Sequence, residues 1–174
     1  MKLHSQILLS GLLGFISANT WAAEKTQAIR YPIPGTNFPI AAAVEVPAAA
    51  SLIFLSGTVP PLMDRVRGNN RFRAYGGDTE DQTIDVIRSI ENQLKNIGLQ
   101  LGDVVKMQVY LVGDPVLDGA MDFAGFMRGY SGFFGTKEQP NLPARSVFQV
   151  ASLADPSWLV EIEVTVARPA SENP

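Results

Sequence analysis

The sequence of 174 residues contains no cysteine and a single histidine, His4. The absence of cysteine excludes disulfide bonds, thiol nucleophiles and metal sites with sulfur ligands. The histidine lies in a segment with the pattern of an export signal, so cleavage would leave a mature chain without either residue. The chemistry of that chain must then depend on Arg, Lys, Asp, Glu, Tyr, Ser, Thr and backbone groups, and we expect neither a metal nor a cofactor.

Charged residues are also scarce. They make up 18% of the chain, and 14 basic residues stand against 17 acidic ones, for a net charge of −3. A protein that binds nucleic acid needs a basic surface, because most of its affinity comes from phosphate contacts. The composition therefore offers no electrostatic argument for nucleic acid as a partner. The hydrophobic fraction of 46% suits one globular domain with a substantial core.

Residues 1–22 match the pattern of a signal peptide. Lys2 supplies positive charge, residues 7–16 form a short apolar stretch, and small residues precede a cleavage point after Ala22. The apolar stretch is too short to span a bilayer comfortably, which disfavours the alternative of an uncleaved anchor helix. We expect an exported protein, periplasmic or secreted, without stable membrane insertion after cleavage, and a single domain over residues 23–174.

Hydrophobic periodicity predicts an α+β protein with the element order ββαβαββ. The first two strands are expected to form a hairpin-like pair, and the last two, joined by the short segment SLADPS, an antiparallel pair. This order is consistent with a mixed sheet that carries two helices on one face. The predicted strands are 41–46, 51–59, 103–112, 144–151 and 158–167, and the predicted helices are 79–97 and 119–134.

Local signals refine the two helices. Thr79 followed by Gln82 predicts a capping box at the start of the first helix. Each glycine in the second helix weakens it by roughly 1 kcal/mol relative to alanine. We expect these glycines to permit close approach of the helix to the sheet, and Tyr130 to lie in the core in preference to a pocket. The glycines are Gly125, Gly129 and Gly132.

The segment 60–78 is rich in proline, glycine and asparagine, and it carries four arginines, Arg65, Arg67, Arg71 and Arg73. We interpret it as a solvated loop. The alternative is an anion-binding lip at the mouth of a pocket.

Arg145 follows a proline and an alanine at the start of an apolar strand. A guanidinium stays charged, so its burial requires an anionic partner. Arg145 is therefore either a strand-end residue that extends to water or a clamp for a carboxylate. Simple hairpin register places it nearer Arg168 than Glu161, so pairing alone does not join Arg145 to Glu161 within one subunit. The face with Glu161, Glu163 and Thr165 is expected to be exposed to solvent. The alternative, in which Arg145 and Glu161 meet across a subunit boundary, stays open.

Four stretches together resemble the Rid (YjgF) family of reactive-intermediate deaminases. They are LSGTVP (55–60), the segment from DTEDQ to VYLV (78–112), DFAGFMRGYSGFFG (122–135) and the segment from PNLPARS to VEIEVTVAR (140–168). They follow the family order over nearly all of the mature chain, and PARS followed by VEIE is the most specific feature. The resemblance implies a chorismate-mutase-like fold assembled as a homotrimeric barrel, with helices outside and a ligand cleft at each subunit interface.

The resemblance also implies an activity. Family members with this arginine hydrolyse imines and enamines of 2-oxo acids and release ammonia. Arg145 would then bind the substrate carboxylate and Glu161 would position the attacking water, with further backbone contacts from Gly57 and Val147. A second hypothesis is a non-catalytic binder of small carboxylates in the same cleft. A ribonuclease or chaperone role, suggested for some relatives, is opposed by the acidic balance and the export signal.

Several substrate-binding positions depart from the family pattern. Thr58 stands where relatives often have glutamine, Met127 where they frequently have asparagine, and Val147 where they have cysteine. Phe38 or Ile40 takes the place of a pocket tyrosine. These changes make the cleft more apolar and favour the binder, whereas the retained arginine and glutamate favour catalysis.

Overall fold

The computed structural model of the protein describes residues 27–62, 75 and 77–170. The signal peptide predicted at residues 1–22 lies outside these ranges, as do the four arginines between residues 65 and 73. Those expectations stay predictions. None of the helices in the described ranges combines the length and the hydrophobicity of a membrane-spanning segment.

In the described part of the chain, the predicted elements are present in the predicted order, with two further short strands. The four-residue β1 contains a proline and the two-residue β5 is too short to show periodicity, so neither was predicted. The second helix is shorter than predicted because residues 120–121 pair with β4 instead. The elements are β1 Ile29–Pro32, β2 Ala41–Glu45, β3 Ser51–Phe54, α1 Thr79–Asn96, β4 Val104–Asp114, β5 Ala120–Met121, α2 Phe123–Ser131, β6 Ala144–Val150 and β7 Val160–Arg168.

The sheet has the order β1-β2-β6-β4-β7-β3, with β5 paired to β4. The predicted hairpin of β2 and β3 is wrong, because β2 pairs with β1 and β6 whereas β3 pairs with β7 near the other edge. The predicted pairing of β6 with β7 is also wrong. The central strand β4 lies between them, parallel to β6 and antiparallel to β7. The connection of residues 151–159 is long enough to cross one intervening strand at a spacing of about 4.8 Å per strand.

The two faces of the sheet differ sharply. One face packs against α1 and α2, and it is formed by alternate residues of β4 and β7 that are fully or almost fully buried. The other face carries the intervening, partly exposed residues of these strands and has no helix over it among the described residues. The mixed sheet with both helices on one face is therefore confirmed. The buried set comprises Met107, Val109, Leu111, Val160, Ile162, Val164 and Val166.

The start of α1 differs from the predicted capping box. Its N-cap is Asp78, whose carboxylate accepts a hydrogen bond of 3.0 Å from the backbone N–H three residues later. Thr79 is the first helical residue. Gln82 is buried, and its side chain donates to the Ser157 carbonyl at 3.0 Å and accepts from the Leu159 N–H at 2.7 Å. Gln82 thus ties α1 to the segment before β7, which a local capping pattern does not reveal.

The glycines of α2 allow a different approach from the one expected. A methyl group on Gly129 would lie 2.9 Å from the Thr83 Cβ and 3.0 Å from the Glu80 carbonyl oxygen, and both residues belong to α1. Gly125 leaves space for the carboxylate of Asp122, which caps α2 through a 2.8 Å hydrogen bond. The close approach at Gly129 is therefore between the two helices and not between α2 and the sheet.

Candidate functional site

Arg145 lies on the helix-covered face of the sheet, beside Met107 of β4. Its guanidinium carbon is 4.1 Å from the ring centroid of Tyr130, 4.9 Å from that of Phe126 and 5.8 Å from that of Phe38. Aromatic rings attract cations within about 6 Å of the ring centroid. The arginine is therefore half-buried in a cage of three aromatic rings.

This cage leaves the guanidinium short of hydrogen-bond acceptors. Nη2 donates to the Met127 Sδ at 3.1 Å, and a thioether is a weak acceptor. Nη1 is buried and has no hydrogen-bond partner among the described residues. The ion pairs among the described residues involve other cations, so no carboxylate of the described residues neutralises Arg145. A buried cation without an anion is unfavourable, and the arrangement is suited to accept an anionic group from outside.

Tyr130 supplies the aromatic ring nearest to this cation, and it carries no charge near neutral pH. Burial raises the pKa of Tyr130 to about 12, although the charge of Arg145 opposes the shift. Burial also lowers the pKa of Arg145, and Tyr130 opposes that shift. A guanidinium nevertheless stays protonated in proteins. The Tyr130 hydroxyl donates to the Pro39 carbonyl at 2.9 Å, so this fully buried residue belongs to the core, as expected, and also contacts the candidate site.

Glu161 lies on the opposite, helix-free face, because it is opposite Tyr110 in the antiparallel pairing of β7 with β4. Its carboxylate lies directly against Gly57, where an added methyl group would collide with Oε1. Two backbone hydrogen bonds between Thr58 and Ile162, of 2.9 and 3.0 Å, hold this segment against β7. The segment that carries Gly57 and Thr58 is thus fixed beside Glu161.

Thr58 uses its hydroxyl within the fold. The Oγ1 atom accepts a 3.2 Å hydrogen bond from the Gln93 side chain and lies 3.5 Å from the Ser56 carbonyl oxygen, to which it donates. Gln93 is on α1 and was not predicted as part of the site. Its exposed position on an amphipathic helix gives no sequence signal for this contact.

The predicted site residues therefore form two groups. The arginine half-site consists of Phe38, Met127 and Arg145, with Val147 two residues further along the same face of β6. The glutamate half-site consists of Gly57, Thr58 and Glu161. The Arg145 side chain lies on the helix-covered face of the sheet, and the Glu161 carboxylate lies on the helix-free face beside Gly57. Thr58 follows Gly57 in the chain, but its hydroxyl contacts α1 on the helix-covered side. Within a single copy, the structure does not bring Arg145 and Glu161 together.

The helix-free face also exposes large apolar side chains. Phe54 is 75% exposed, and Leu52 and Phe148 are about half exposed on the same face. The Phe148 ring stacks on Tyr110 with 6.2 Å between centroids, and the Tyr110 hydroxyl donates to Glu163 at 3.3 Å. Large exposed apolar side chains on one face of a sheet favour a protein interface there.

Comparisons with known proteins agree on one family. The family model described as endoribonuclease L-PSP matches residues 36–168. A RutC family protein of Pyrococcus horikoshii is 32% identical over 115 residues, which are 66% of this chain and 78% of that protein. Among solved structures, the Rid-family protein YyfB of Yersinia pestis has a TM-score of 0.60 at 22% identity, over 80% of this chain and 98% of its own, and supports the fold alone. Escherichia coli TdcF with bound serine has a TM-score of 0.53 at 26% identity, over 83% and 99% of the two chains.

Proposed function

The chain belongs to the Rid (YjgF) family, and on that premise we propose that it hydrolyses 2-imino acids and related enamines to 2-oxo acids and ammonia. The observation that carries this proposal is the Arg145 guanidinium, a half-buried cation with a buried Nη1 that has no acceptor among the described residues. A planar guanidinium binds a carboxylate through two parallel hydrogen bonds. The relative TdcF was solved with bound serine, a small molecule that carries a carboxylate next to its nitrogen-bearing carbon.

The reaction requires positioning and proton transfer. Arg145 holds the carboxylate and fixes the orientation of the imine carbon. Glu161 accepts a proton from water as the water oxygen bonds to that carbon, which gives a tetrahedral carbinolamine. The nitrogen takes up the proton held by Glu161 and then the hydroxyl proton of the carbinolamine, so the C–N bond breaks, ammonia leaves, and the remaining oxygen forms the carbonyl of the 2-oxo acid. The step consumes one water and involves no oxidation or reduction.

A site that contains both Arg145 and Glu161 requires a second copy of the chain, because one copy has these two side chains on opposite faces of its sheet. We propose a homotrimer in which the helix-free faces pack into a barrel and the arginine half-site of one copy meets the glutamate half-site of its neighbour. The exposed Phe54, Leu52 and Phe148 support this arrangement, since a barrel interior would cover them.

The proposed location follows from residues 1–22. An exported protein meets imines made outside the cytoplasm, and the reaction class that supplies them is oxidation of amino acids by an exported oxidase or dehydrogenase. A hydrolase in the same compartment would shorten the lifetime of these imines next to their source.

Two substitutions separate the proposed roles. Arg145→Ala should weaken binding of a carboxylate ligand about tenfold or more, because a charge-assisted pair contributes roughly 1.5–3 kcal/mol. Arg145→Lys keeps the charge but loses the planar fork, so affinity should still fall. Glu161→Gln should preserve carboxylate binding and slow turnover. Arg88→Ala, on the exposed side of α1, is the matched control and should change neither quantity.

The decisive experiment mixes the two impaired variants. Arg145→Ala and Glu161→Gln chains are refolded together in equal amounts, and consumption of an imine generated in situ is measured. In a cyclic trimer with sites between copies, about one quarter of the sites regain both wild-type residues, so the mixture should recover about one quarter of wild-type activity. A mixture as inactive as each variant alone would show that both residues act from the same copy. Failure of the wild type to exceed the buffer rate for any imine would exclude hydrolysis itself.

A second candidate is a non-catalytic binder of small carboxylates. It is favoured by Met127, which offers the guanidinium only a thioether, and by Thr58, whose hydroxyl is already engaged with Gln93 and Ser56. Calorimetry with 2-oxo acids distinguishes it, because binding without turnover supports the binder. Incubating RNA with the same preparation tests for the endoribonuclease activity that the family description names. The excess of acidic residues (17 against 14 basic) disfavours that activity.

A further inference from the structure

The walls of the arginine half-site are apolar. Phe126 and Tyr130 are fully buried and do not face a ligand, but Phe38 is 40% exposed and Met127 is partly exposed. A molecule whose carboxylate reaches Arg145 therefore meets an aromatic ring and a thioether. Neither can donate a hydrogen bond, and the Met127 sulfur is already occupied by Nη2.

The position of Phe38 is fixed by its own loop. Its N–H donates to the Thr36 Oγ1 at 3.1 Å, and its carbonyl accepts from the Ile40 N–H at 2.8 Å. The next residue, Pro39, accepts from the buried Tyr130 hydroxyl at 2.9 Å. Hydrogen bonds on both sides thus fix the backbone of Phe38, and its exposed ring, 5.8 Å from the guanidinium carbon, forms one wall of the half-site.

This geometry discriminates between side chains on the α-carbon of the substrate. That side chain is attached next to the carboxylate, so it lies within reach of Phe38 and Met127. A hydroxyl, amide or second carboxylate would lose water there without gaining a partner. Each methylene buried against these walls should instead strengthen binding by roughly fourfold.

We propose that the substrates are 2-imino acids with apolar side chains, and that Phe38 and Met127 determine this specificity. This inference rests on the proposed function, because it concerns the same site and takes Arg145 as the carboxylate clamp. It sets this chain apart from its relative TdcF, which was solved with bound serine, a polar amino acid.

The test compares substrates of similar shape and different polarity. An amino-acid oxidase generates imines from leucine and asparagine in the presence of catalase, and the extra rate caused by the protein is measured by trapping the imine with semicarbazide. We expect kcat/KM to be at least about tenfold higher for the leucine imine, since two or more methylene-sized groups are buried. Phe38→Ser should remove most of this preference, and Phe38→Leu should restore it. Val116→Ser, at a residue 88% exposed outside the half-site, is the control and should keep the preference.

A binding measurement keeps this inference separable from the proposed hydrolysis. Calorimetry compares 4-methyl-2-oxopentanoate with 2-oxosuccinamate, the 2-oxo acids that match leucine and asparagine. If no imine is consumed but the apolar acid binds at least about tenfold more tightly, hydrolysis fails and the apolar specificity stands. Equal affinities and rates for the two classes, a preference for the amide, or a preference unchanged in Phe38→Ser would each overturn the specificity.

Discussion

Replacing Gly57 by alanine should move the Glu161 carboxylate without removing it. The added methyl group would occupy the space of the Glu161 Oε1. Because that oxygen is the end of a flexible side chain, the carboxylate can rotate away and the backbone need not shift. The φ angle of Gly57 is outside the left-handed region, so alanine can adopt it. The free energy of unfolding should therefore change by less than about 1 kcal/mol.

The effect on the reaction should be much larger than the effect on stability. A displacement of about 1 Å in a catalytic group can lower a rate by about 100-fold. We expect kcat for an imine generated in situ to fall by about 10- to 100-fold, which corresponds to roughly 1.4–2.7 kcal/mol. The dissociation constant of a 2-oxo acid, measured by calorimetry, should stay within about twofold, because the substitution leaves the guanidinium of Arg145, the proposed carboxylate clamp, unchanged. Gly132→Ala is the control, since its methyl group would approach no non-neighbouring atom closer than 3.6 Å.

A double-mutant cycle identifies the cause of this loss. If the methyl group acts through the carboxylate, Gly57→Ala should change the rate little in a chain that already carries Glu161→Gln. If the methyl group instead blocks the cleft, the two losses should multiply. Multiplying losses, or a wild-type kcat in Gly57→Ala, would refute the assignment of Gly57 as the residue that makes room for Glu161.

Three further predictions concern the fold and the assembly. Gly129→Ala should lower the free energy of unfolding by about 1–3 kcal/mol more than Gly132→Ala does, because the methyl group added at Gly129 meets α1. Urea unfolding measures both values, and equal values would contradict this packing. The native pKa of Tyr130 is about 12 against 10 for a free tyrosine, so the unfolded state loses its proton first. The contribution of Tyr130 to stability, present below pH 10, should then fall by up to about 2–3 kcal/mol as the pH rises to 12, and Tyr130→Phe should make this slope smaller in thermal unfolding. Light scattering at micromolar concentration should show three copies for the wild type and dissociation for Phe54→Asp, whereas a stable wild-type monomer would exclude the proposed interface.

Some features of the candidate site were visible in the residues themselves. Arg145 stood out because a permanent charge at the start of an apolar strand needs an explanation. The lack of cysteine limited the available chemistry through composition alone. Gln93 could not be found in this way, because its contact with Thr58 joins residues far apart in the sequence, and nothing in an exposed helical glutamine indicates it.

The sequence alone determined the longer elements and, in β4 and β7, the face to which each residue belongs. Period-2 alternation in β4 and β7 and the helical period in α1 follow from the geometry of each segment, and the structure reproduces them. Only the tertiary structure decided which strands are neighbours. The insertion of β4 between β6 and β7 depends on how the strands and helices together bury apolar surface, which no local pattern encodes. On β4, Arg145 is opposite Met107 and Glu161 is opposite Tyr110. Met107 and Tyr110 are three residues apart, and residues separated by an odd number along a strand point to opposite faces. The strand order therefore puts Arg145 and Glu161 on opposite faces of the sheet.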